Sequence, residues 1–138
     1  MKKIFFFILI FFTLSGCDEE EQMAIKIDNG IYEGTFQREI ISSENETAKI
    51  TLTFSSNKWS GTSEFAKYPA LCHGTFTIVS NSIFFTNDCA WTAEFDWSLI
   101  LSGEYSISKN GENIEFTRDY KIANSGSYTD RYILTKQE

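Results

Sequence analysis

The sequence has 138 residues, of which 12 are Lys or Arg and 19 are Asp or Glu, giving a net charge of −7 at pH 7. This length corresponds to a single domain and excludes multidomain enzymes. Removal of the first 16 residues with their two lysines leaves a net charge of −9, which argues against nucleic acid as a partner.

The N-terminus is typical of an export signal. Lys2 and Lys3 supply positive charge, and the nine residues Ile4–Phe12 are all apolar. Nine residues are too few for a helix that crosses the bilayer, which needs about 20. They do suit the hydrophobic core of a signal peptide. We therefore predict that residues 1–16 are a signal peptide.

The residues after this core resemble the lipobox of bacterial lipoproteins. Leu14, Ser15 and Gly16 precede Cys17, and small side chains before the cysteine suit a signal-peptidase cleft. The resemblance implies that Cys17 becomes the first mature residue and carries a diacylglyceryl group, which makes a membrane the first predicted partner. Such anchoring is durable when more than one acyl chain is buried, since each buried CH₂ contributes about 0.8 kcal/mol. The alternative is an ordinary secretory signal with a coincidental cysteine.

Residues 17–29 are predicted to form a lipidated acidic tether. Asp18 and the three glutamates after it serve either as a solvated spacer or as a sorting signal. Such a run near the lipidated cysteine resembles the surface-export signals of Bacteroidota lipoproteins, whereas an Asp directly after the cysteine resembles the inner-membrane retention signal of enterobacteria. The high Ile, Lys, Asn and Phe content favours an AT-rich genome and hence the first interpretation. We predict a lipid-anchored protein of the cell envelope, in the outer membrane, at its periplasmic face or on the cell surface.

Residues 30–138 are predicted to be an all-β domain. β-Branched and aromatic residues are abundant, and apolar residues alternate with polar ones without a convincing helical period. The connections are short enough to join antiparallel neighbours. Eight such strands form either a β-sandwich or a closed up-and-down barrel, and we favour the barrel because closure removes exposed edges. The predicted strands span residues 31–41, 47–55, 58–66, 73–79, 82–88, 96–108, 113–123 and 127–136.

Three predicted hairpins each keep the apolar residues of both strands on one face. Their turns are centred on Ser56-Asn57, Ser80-Asn81 and Asn110-Gly111, the last of which is the strongest short hairpin signal. The predicted pairs are Phe54 with Trp59, Leu52 with Gly61, Ile78 with Ile83, Phe76 with Phe85, Ile107 with Ile114, Tyr105 with Phe116 and Gly103 with Arg118.

Cys72 and Cys89 are predicted to form a disulfide. They lie directly opposite one another in the hairpin centred on Ser80-Asn81, as a non-hydrogen-bonded pair, and an exported compartment permits oxidation. Such a bridge contributes about 3 kcal/mol in the chain-entropy description. A metal site with His73 is the rival interpretation. We set it aside because adjacent strand residues point to opposite faces and the sequence has no second His, and we predict no metal.

The sequence contains no motif for nucleophilic or phosphoryl chemistry. It has no Gly-x-Ser-x-Gly, no phosphate-binding loop and no His-Glu-x-x-His. A single His also argues against Ser–His or Cys–His catalysis. We predict neither enzyme activity nor a cofactor.

The basic residue Arg118 lies on the predicted inner face of the barrel. A three-residue loop, Asn124-Ser125-Gly126, would pair Arg118 with Tyr132 and Tyr120 with Asp130. A buried cation needs a partner, so Arg118 either pairs with Asp130 in a filled barrel or binds the carboxylate of an apolar ligand. The candidate ligand-binding residues are Arg118, Tyr120, Tyr132, Tyr105, Trp59 and Trp97, with the apolar tail among Trp59, Phe76, Phe85, Trp97, Leu99 and Leu101.

This layout resembles the calycins, which comprise lipocalins, fatty-acid-binding proteins and avidins. Gly30-Ile31-Tyr32 is similar to the Gly-x-Trp of lipocalins on the first strand, and Arg131 lies on the last strand, where that family has a basic residue. Arg118-Asp119-Tyr120 is similar to the Arg-x-Tyr of fatty-acid-binding proteins. The resemblance covers residues 30–136 and implies a lipocalin-like barrel of the kind found in bacterial lipoproteins. It does not by itself imply ligand binding.

Two functions therefore remain as hypotheses. In the first, the barrel binds a small apolar ligand in its lumen, for which Gly34, Gly61, Gly74 and Gly103 would leave room; the same glycines equally serve strand bending. In the second, the barrel is filled and acts as an envelope interaction module with a protein partner. The aromatic residues Trp91, Phe95 and Trp97 then form either a lid over the barrel end or a contact platform for sugar or protein.

Overall fold

The computed structural model describes residues 23–123 and 126–138. The predicted signal peptide at residues 1–16, Cys17 with the acidic run after it, and residues 124–125 of the predicted last loop lie outside the described residues. Within the described ranges, no helix is long and apolar enough to cross a membrane.

The strands form one closed antiparallel barrel in which each strand pairs with the next and the last pairs with the first. The closing pair runs from Tyr32 to Ile40 on the first strand, so neither of these two strands is left as an open edge. The all-β class and the eight-stranded barrel are thus confirmed, and the sandwich alternative is wrong. The strands are β1 (Gly30–Ile40), β2 (Thr47–Ser55), β3 (Lys58–Ser63), β4 (His73–Val79), β5 (Ser82–Phe85), β6 (Gly103–Asn110), β7 (Asn113–Ile122) and β8 (Gly126–Lys136).

Two of the three predicted hairpins have the predicted register. Phe54 faces Trp59 across β2 and β3, and Phe76 faces Phe85 across β4 and β5. In the third hairpin Asn110 faces Asn113, so the loop is one residue later than predicted. Its first central residue is Gly111, with φ of 61°, a position where type II′ loops require glycine.

Register shifts of two residues keep every side chain on its predicted face. Between β6 and β7, Ile107 faces Phe116 and not Ile114. Between β7 and β8, Arg118 faces Asp130, whereas we expected it to face Tyr132. The hydrophobic pattern therefore identifies the inner face but does not identify the partner on it.

The sixth strand is shorter than predicted, because residues 96–102 are not part of it. Asp96 caps a single turn of 3₁₀-helix, Trp97–Leu99, by accepting a hydrogen bond from the Ser98 backbone N–H at 2.9 Å. Short polar side chains that bond to nearby backbone groups compete with strand pairing. The strand begins only at Gly103, whose φ is 89°. The third strand likewise ends at Ser63 and not at residue 66.

The interior of the barrel is filled by its own side chains. The Phe116 and Tyr132 rings stack with centroids 4.5 Å apart, and Tyr105 meets Tyr132 edge-on at 5.8 Å. An eight-stranded barrel is just wide enough to be filled in this way, so the packing favours the filled barrel over a ligand in the lumen. The largest fully buried side chains are Trp59, Tyr32, Tyr105, Tyr132, Phe36, Phe54, Phe116, Leu52, Ile83, Leu101, Ile114 and Leu134.

The glycines on this face allow close approach of backbones and do not leave open space. A Cβ atom at Gly34 would overlap the carbonyl oxygen of Ile133, and one at Gly74 would overlap that of Thr86. Glycine at these positions therefore permits tight strand packing. Gly103 is different, because a Cβ atom there would lie 2.9 Å from the Arg118 guanidinium. The lack of a side chain at Gly103 therefore leaves room for Arg118, as predicted.

The barrel has two distinct ends. At the near end, residues 23–29 lead into β1 and the strands are joined by two-residue turns. Ile27 is buried in the core and Ile25 packs against it, while Lys109 forms an ion pair with Asp28 at 3.1 Å. The packed unit therefore begins inside the segment assigned to the tether. At the far end, the connections are longer, and the longest runs from residue 86 to residue 102.

Candidate functional site

The buried cation of the barrel is Arg38, near the end of β1, and not Arg118. Its guanidinium donates two hydrogen bonds to the Asp130 carboxylate, at 2.6 and 2.7 Å. Arg38 is 7% exposed and Asp130 is 1% exposed. Of the two alternatives for Arg118, the ion pair with Asp130 is therefore not formed. Asp130 faces Arg118 on β7 and Arg38 on β1, and its carboxylate bonds to Arg38.

Arg38 also fastens the long connection across the far end. It donates to the Asp96 carboxylate at 2.8 Å and to the Ser98 hydroxyl at 3.0 Å. Ser98 in turn donates to Asp96 at 2.6 Å and accepts from the Tyr128 hydroxyl at 3.2 Å. The Tyr128 ring lies 4.2 Å from the Arg38 guanidinium carbon, close enough for a cation–π contact. We call Arg38, Asp96, Ser98, Tyr128 and Asp130 the latch.

Burial and ion pairing act against each other on the charges of the latch. Burial lowers the pKa of Arg38, but hydrogen bonds and charge from Asp130 more than compensate and raise it. Burial raises the pKa of Asp130, and the two bonds from Arg38 limit that rise. For Asp96 burial is outweighed by hydrogen bonds from Ser98 and the charge of Arg38, so its pKa is lowered. The latch therefore brings one guanidinium and two carboxyl groups together, of which only Asp96 has a lowered pKa.

Arg118 lies beside the latch without a carboxylate partner among the described residues. It donates to the backbone carbonyl of Ser102 at 2.8 Å. Its guanidinium carbon lies 4.7 Å from the Tyr120 ring centre and 5.6 Å from that of Tyr105. A guanidinium has five N–H donors, and the bond to Ser102 is the one that meets hydrogen-bond geometry among the described residues.

A surface groove of about 310 Å³ opens beside Arg118 at the far end. Arg118 is the only charged residue among the side chains that line it. We call it the Arg118 groove, and its lining residues are Trp97, Ser98, Ile100, Ser102, Gly103, Arg118 and Tyr120.

The predicted ligand-binding residues separate into two groups. Arg118, Tyr120 and Trp97 meet in the Arg118 groove. Trp59, Tyr105 and Tyr132 are packed in the core, where Trp59 donates its indole N–H to the Thr86 carbonyl at 2.9 Å. Trp97 was expected on the inner face of a strand, but it is 55% exposed on the 3₁₀ turn.

Burial raises the pKa of each of the three tyrosines Tyr105, Tyr120 and Tyr132. The Tyr105 hydroxyl is buried and has no hydrogen-bond partner among the described residues. All three hydroxyls therefore remain protonated far above neutral pH.

The other loop aromatics, Trp91 and Phe95, pack against each other in the long connection at the far end. The Trp91 and Phe95 rings meet with centroids 5.6 Å apart, and Lys67 lies 4.8 Å from the Phe95 ring centre. Trp91 also donates its indole N–H to Asn87 at 2.9 Å. Trp91 and Phe95 therefore contact loop residues and are not among the side chains that pack on the core, whereas Trp97 is exposed.

The disulfide between Cys72 and Cys89 is confirmed, with Cα atoms 6.4 Å apart. The pairing of the hairpin extends past β5 towards it, because the Asp88 N–H donates to the His73 carbonyl at 3.0 Å. The ligand atoms of Cys72, His73 and Cys89 all lie within 4.8 Å of one another. The prediction that Cys72 and His73 point to opposite faces fails because β4 begins only at His73.

Arg131, the basic residue of the last strand, lies on the outer wall. It forms ion pairs with Glu39 at 2.7 Å and with Glu115. The lipocalin resemblance implies that the basic residue of the last strand packs across the aromatic residue of the first strand. Arg131 does not do so, because it lies on the outer wall and Tyr32 is on the inner face.

Arg38 was not among the predicted site residues, although the sequence contains a signal for it. Tyr32, Phe36 and Arg38 share one parity along β1, and alternation therefore places all three on the inner face. Only its partners were not readable from the sequence, because they come from β8 and from the long connection.

A family model described as the prokaryotic membrane lipoprotein lipid attachment site matches residues 1–17. This match supports the predicted lipobox and a lipid-anchored protein of the bacterial cell envelope. No curated protein and no solved structure matches the chain at a significant level.

Proposed function

We propose that this envelope lipoprotein binds a small ligand with a carboxylate and a flat or apolar group, and that the binding site is the Arg118 groove. The observation that carries the proposal is the half-buried guanidinium of Arg118, which faces open space with no carboxylate partner among the described residues. Partly buried cations are normally paired, so a site that leaves one available favours an anion.

The walls of the groove suit such a ligand. The Tyr120 ring lies on one side of Arg118, and the exposed indole of Trp97 lies at the rim. Aromatic faces bind apolar and sugar rings, and a guanidinium binds a carboxylate through two parallel hydrogen bonds. The volume of about 310 Å³ is at the lower limit for ligand sites, so the ligand is small.

The filled interior argues for an external site. Trp59, Tyr105 and Tyr132, which would have lined a ligand cavity, contact other aromatic rings of the core. A ligand in the lumen would have to displace these side chains at the cost of their packing. The far end needs no such displacement.

The position of the predicted lipid supports a groove that faces away from the membrane. Cys17 is eight residues before Ile25, the first residue that packs on the near end. Eight residues span at most about 29 Å when fully extended. This limit favours an orientation in which the near end lies towards the bilayer and the Arg118 groove, at the opposite end, faces the aqueous compartment.

The acidic run after Cys17 resembles the surface-export signals of Bacteroidota lipoproteins. On that basis we assign the protein to the outer membrane. Membrane fractionation with and without Cys17→Ser tests the anchor: the wild type should sediment with outer membranes and the variant should be soluble. Persistent membrane association of the variant would refute lipid anchoring. Sedimentation of the wild type with inner membranes would refute only the destination.

Ligand binding is tested on the chain from residue 18 onward, by NMR with phenylacetate and its neutral amide as probes. Phenylacetate should shift the indole signal of Trp97, and the amide should shift it at least about tenfold less at equal concentration, because a charge-assisted bond contributes about 1.5–3 kcal/mol. Arg118→Gln should abolish the shift. Arg131→Gln, which removes the same charge from the outer wall, should not. Equal response to acid and amide, or a response that survives Arg118→Gln, would contradict the proposal.

The unidentified natural ligand requires a second measurement. Native mass spectra of the protein recovered from its own envelope should show an added mass that organic extraction removes and that Arg118→Gln lacks. An added mass retained by Arg118→Gln would place the ligand elsewhere and contradict the groove.

A partner protein is the second candidate occupant of the far end. Trp97 and Ile41, both at this end, are 55% and 76% exposed, respectively. Exposed large apolar residues are typical of interaction surfaces. Cross-linking from position 41 in intact cells should capture one defined neighbour if this candidate is right, and none if the end is free.

A further inference from the structure

The most reactive group of side chains outside the Arg118 groove lies beside β4. Cys72 and Cys89 are half-buried, His73 is exposed, and their three ligand atoms lie within 4.8 Å of one another. In the oxidised protein the two sulfur atoms are bonded to each other and cannot act as thiolate ligands.

We propose that reduction of the Cys72–Cys89 disulfide converts this cluster into a binding site for a thiophilic d¹⁰ metal ion such as Zn²⁺. A dithiol reductant supplies two electrons and two protons, which break the S–S bond and give two thiols, and the reductant becomes a disulfide. The metal then displaces both thiol protons and binds two thiolates and the His73 imidazole.

The observed separations are compatible with such a site after small side-chain movements. Zinc–sulfur bonds of about 2.3 Å and zinc–nitrogen bonds of about 2.0 Å place tetrahedral ligand atoms about 3.5–3.8 Å from one another. The two sulfur atoms must move apart after reduction, and the imidazole must move by about an ångström. His73 has the freedom to do so, because it is exposed.

A surface groove of about 370 Å³ lies beside the cluster and is lined by His73 and Asp88, among other residues. Asp88 adjoins Cys89, and its backbone N–H is bonded to the His73 carbonyl. Zinc accepts a carboxylate or a water molecule as its fourth ligand. Because His73 lines the groove, a water molecule from it can serve as that ligand.

The experiment titrates Co²⁺ and then Zn²⁺ into the chain from residue 18 onward, which lacks Cys17, in its oxidised and reduced forms. The reduced protein should bind one Co²⁺ with thiolate-to-cobalt charge-transfer absorption, which Zn²⁺ abolishes, and the oxidised protein should bind none. His73→Ala should weaken binding by at least about tenfold, since even loss of a residue that only orients a ligand costs about 10–100-fold.

Two controls keep the test decisive if reduction loosens the barrel. Near-ultraviolet circular dichroism reports whether the reduced protein is folded, and Zn²⁺ should raise its melting temperature in the wild type but much less in His73→Ala. The thiol-free Cys72→Ser/Cys89→Ser variant should bind neither ion. Binding by that variant, equal binding by His73→Ala, or a reduced chain that stays unfolded in Zn²⁺ would each overturn the proposal.

Discussion

Arg38→Met tests the latch, because methionine keeps much of the volume of the side chain and removes its charge. Asp130 would then remain 1% exposed without its cation. The substitution should also free the 3₁₀ turn, which depends on Arg38 through Asp96 and Ser98.

The magnitude follows from the burial of the two partners. Breaking a buried ion pair by removing one member costs about 3–5 kcal/mol, because it leaves an uncompensated charge. The bond to Asp96 adds little to this, since its side chain is 56% exposed and exposed pairs contribute about 0–1 kcal/mol. We therefore expect Arg38→Met to lower the free energy of unfolding by about 3–5 kcal/mol.

Arg131→Met is the matched control. Arg131 lies on β8, next to Asp130, and its own side chain and both of its partners are about one-third exposed. Its loss should cost about 0–1 kcal/mol. Urea unfolding of both variants, followed by fluorescence and far-ultraviolet circular dichroism, gives the two free energies. Equal costs for the two variants would refute the reasoning.

The pH dependence of the free energy of unfolding distinguishes the cost of an unpaired buried charge from the cost of lost packing. In Arg38→Met the folded-state pKa of Asp130 should rise further above the unfolded value of about 3.9. A carboxyl group of this kind stabilises the fold when protonated and loses that contribution as the pH rises through its folded pKa. The deficit of the variant should therefore shrink as the pH falls from 7 towards 4. Asp130→Asn added to Arg38→Met should recover part of the loss at pH 7, and no recovery would contradict the electrostatic origin.

Three further predictions concern a glycine on the inner face, the disulfide and two buried tyrosines. Gly34→Ala should lower the free energy of unfolding by about 1–3 kcal/mol or more, because its Cβ would overlap the Ile133 carbonyl. Surface changes scatter by about ±0.5 kcal/mol. A loss smaller than this would show that the strands can separate. Reducing the disulfide should lower the free energy of unfolding by about 3 kcal/mol, and unchanged urea midpoints would contradict this. Burial raises the pKa of Tyr105 and Tyr132, so above pH 10 the unfolded chain loses these phenol protons before the folded chain does. The free energy of unfolding should therefore fall above pH 10 by about 1.4 kcal/mol per pH unit for each residue. A free energy of unfolding that stays constant up to pH 11, measured alongside rapid phenolate titrations, would contradict the burial.

Alternation along the strands made the fold class and the inner face predictable. Phe54, Trp59, Phe76 and Phe85 face one another as the turns between them predicted. The disulfide followed from the same register, since Cys72 and Cys89 continue the hairpin outward from its turn. These are local features, because a turn and the period of two determine them.

The candidate site was predictable only in part. Arg118, Tyr120 and Trp97 were named from the sequence and do meet in one groove. Their setting was wrong, because we expected Trp97 on a strand inside the barrel. The capping of the 3₁₀ turn by Asp96 competes with strand formation, and alternation cannot reveal such a competition.

The sequence alone determined the N-terminal export signal with its lipobox, the β-barrel and the inner face of the strands that form it, because these depend on neighbouring residues. The tertiary structure decided which cation Asp130 pairs with, which one has no carboxylate partner among the described residues, and that the lumen is full. Those outcomes depend on contacts between β1, β8 and the connection from residue 86 to residue 102. A two-residue shift in register changes such contacts while it leaves the hydrophobic pattern intact.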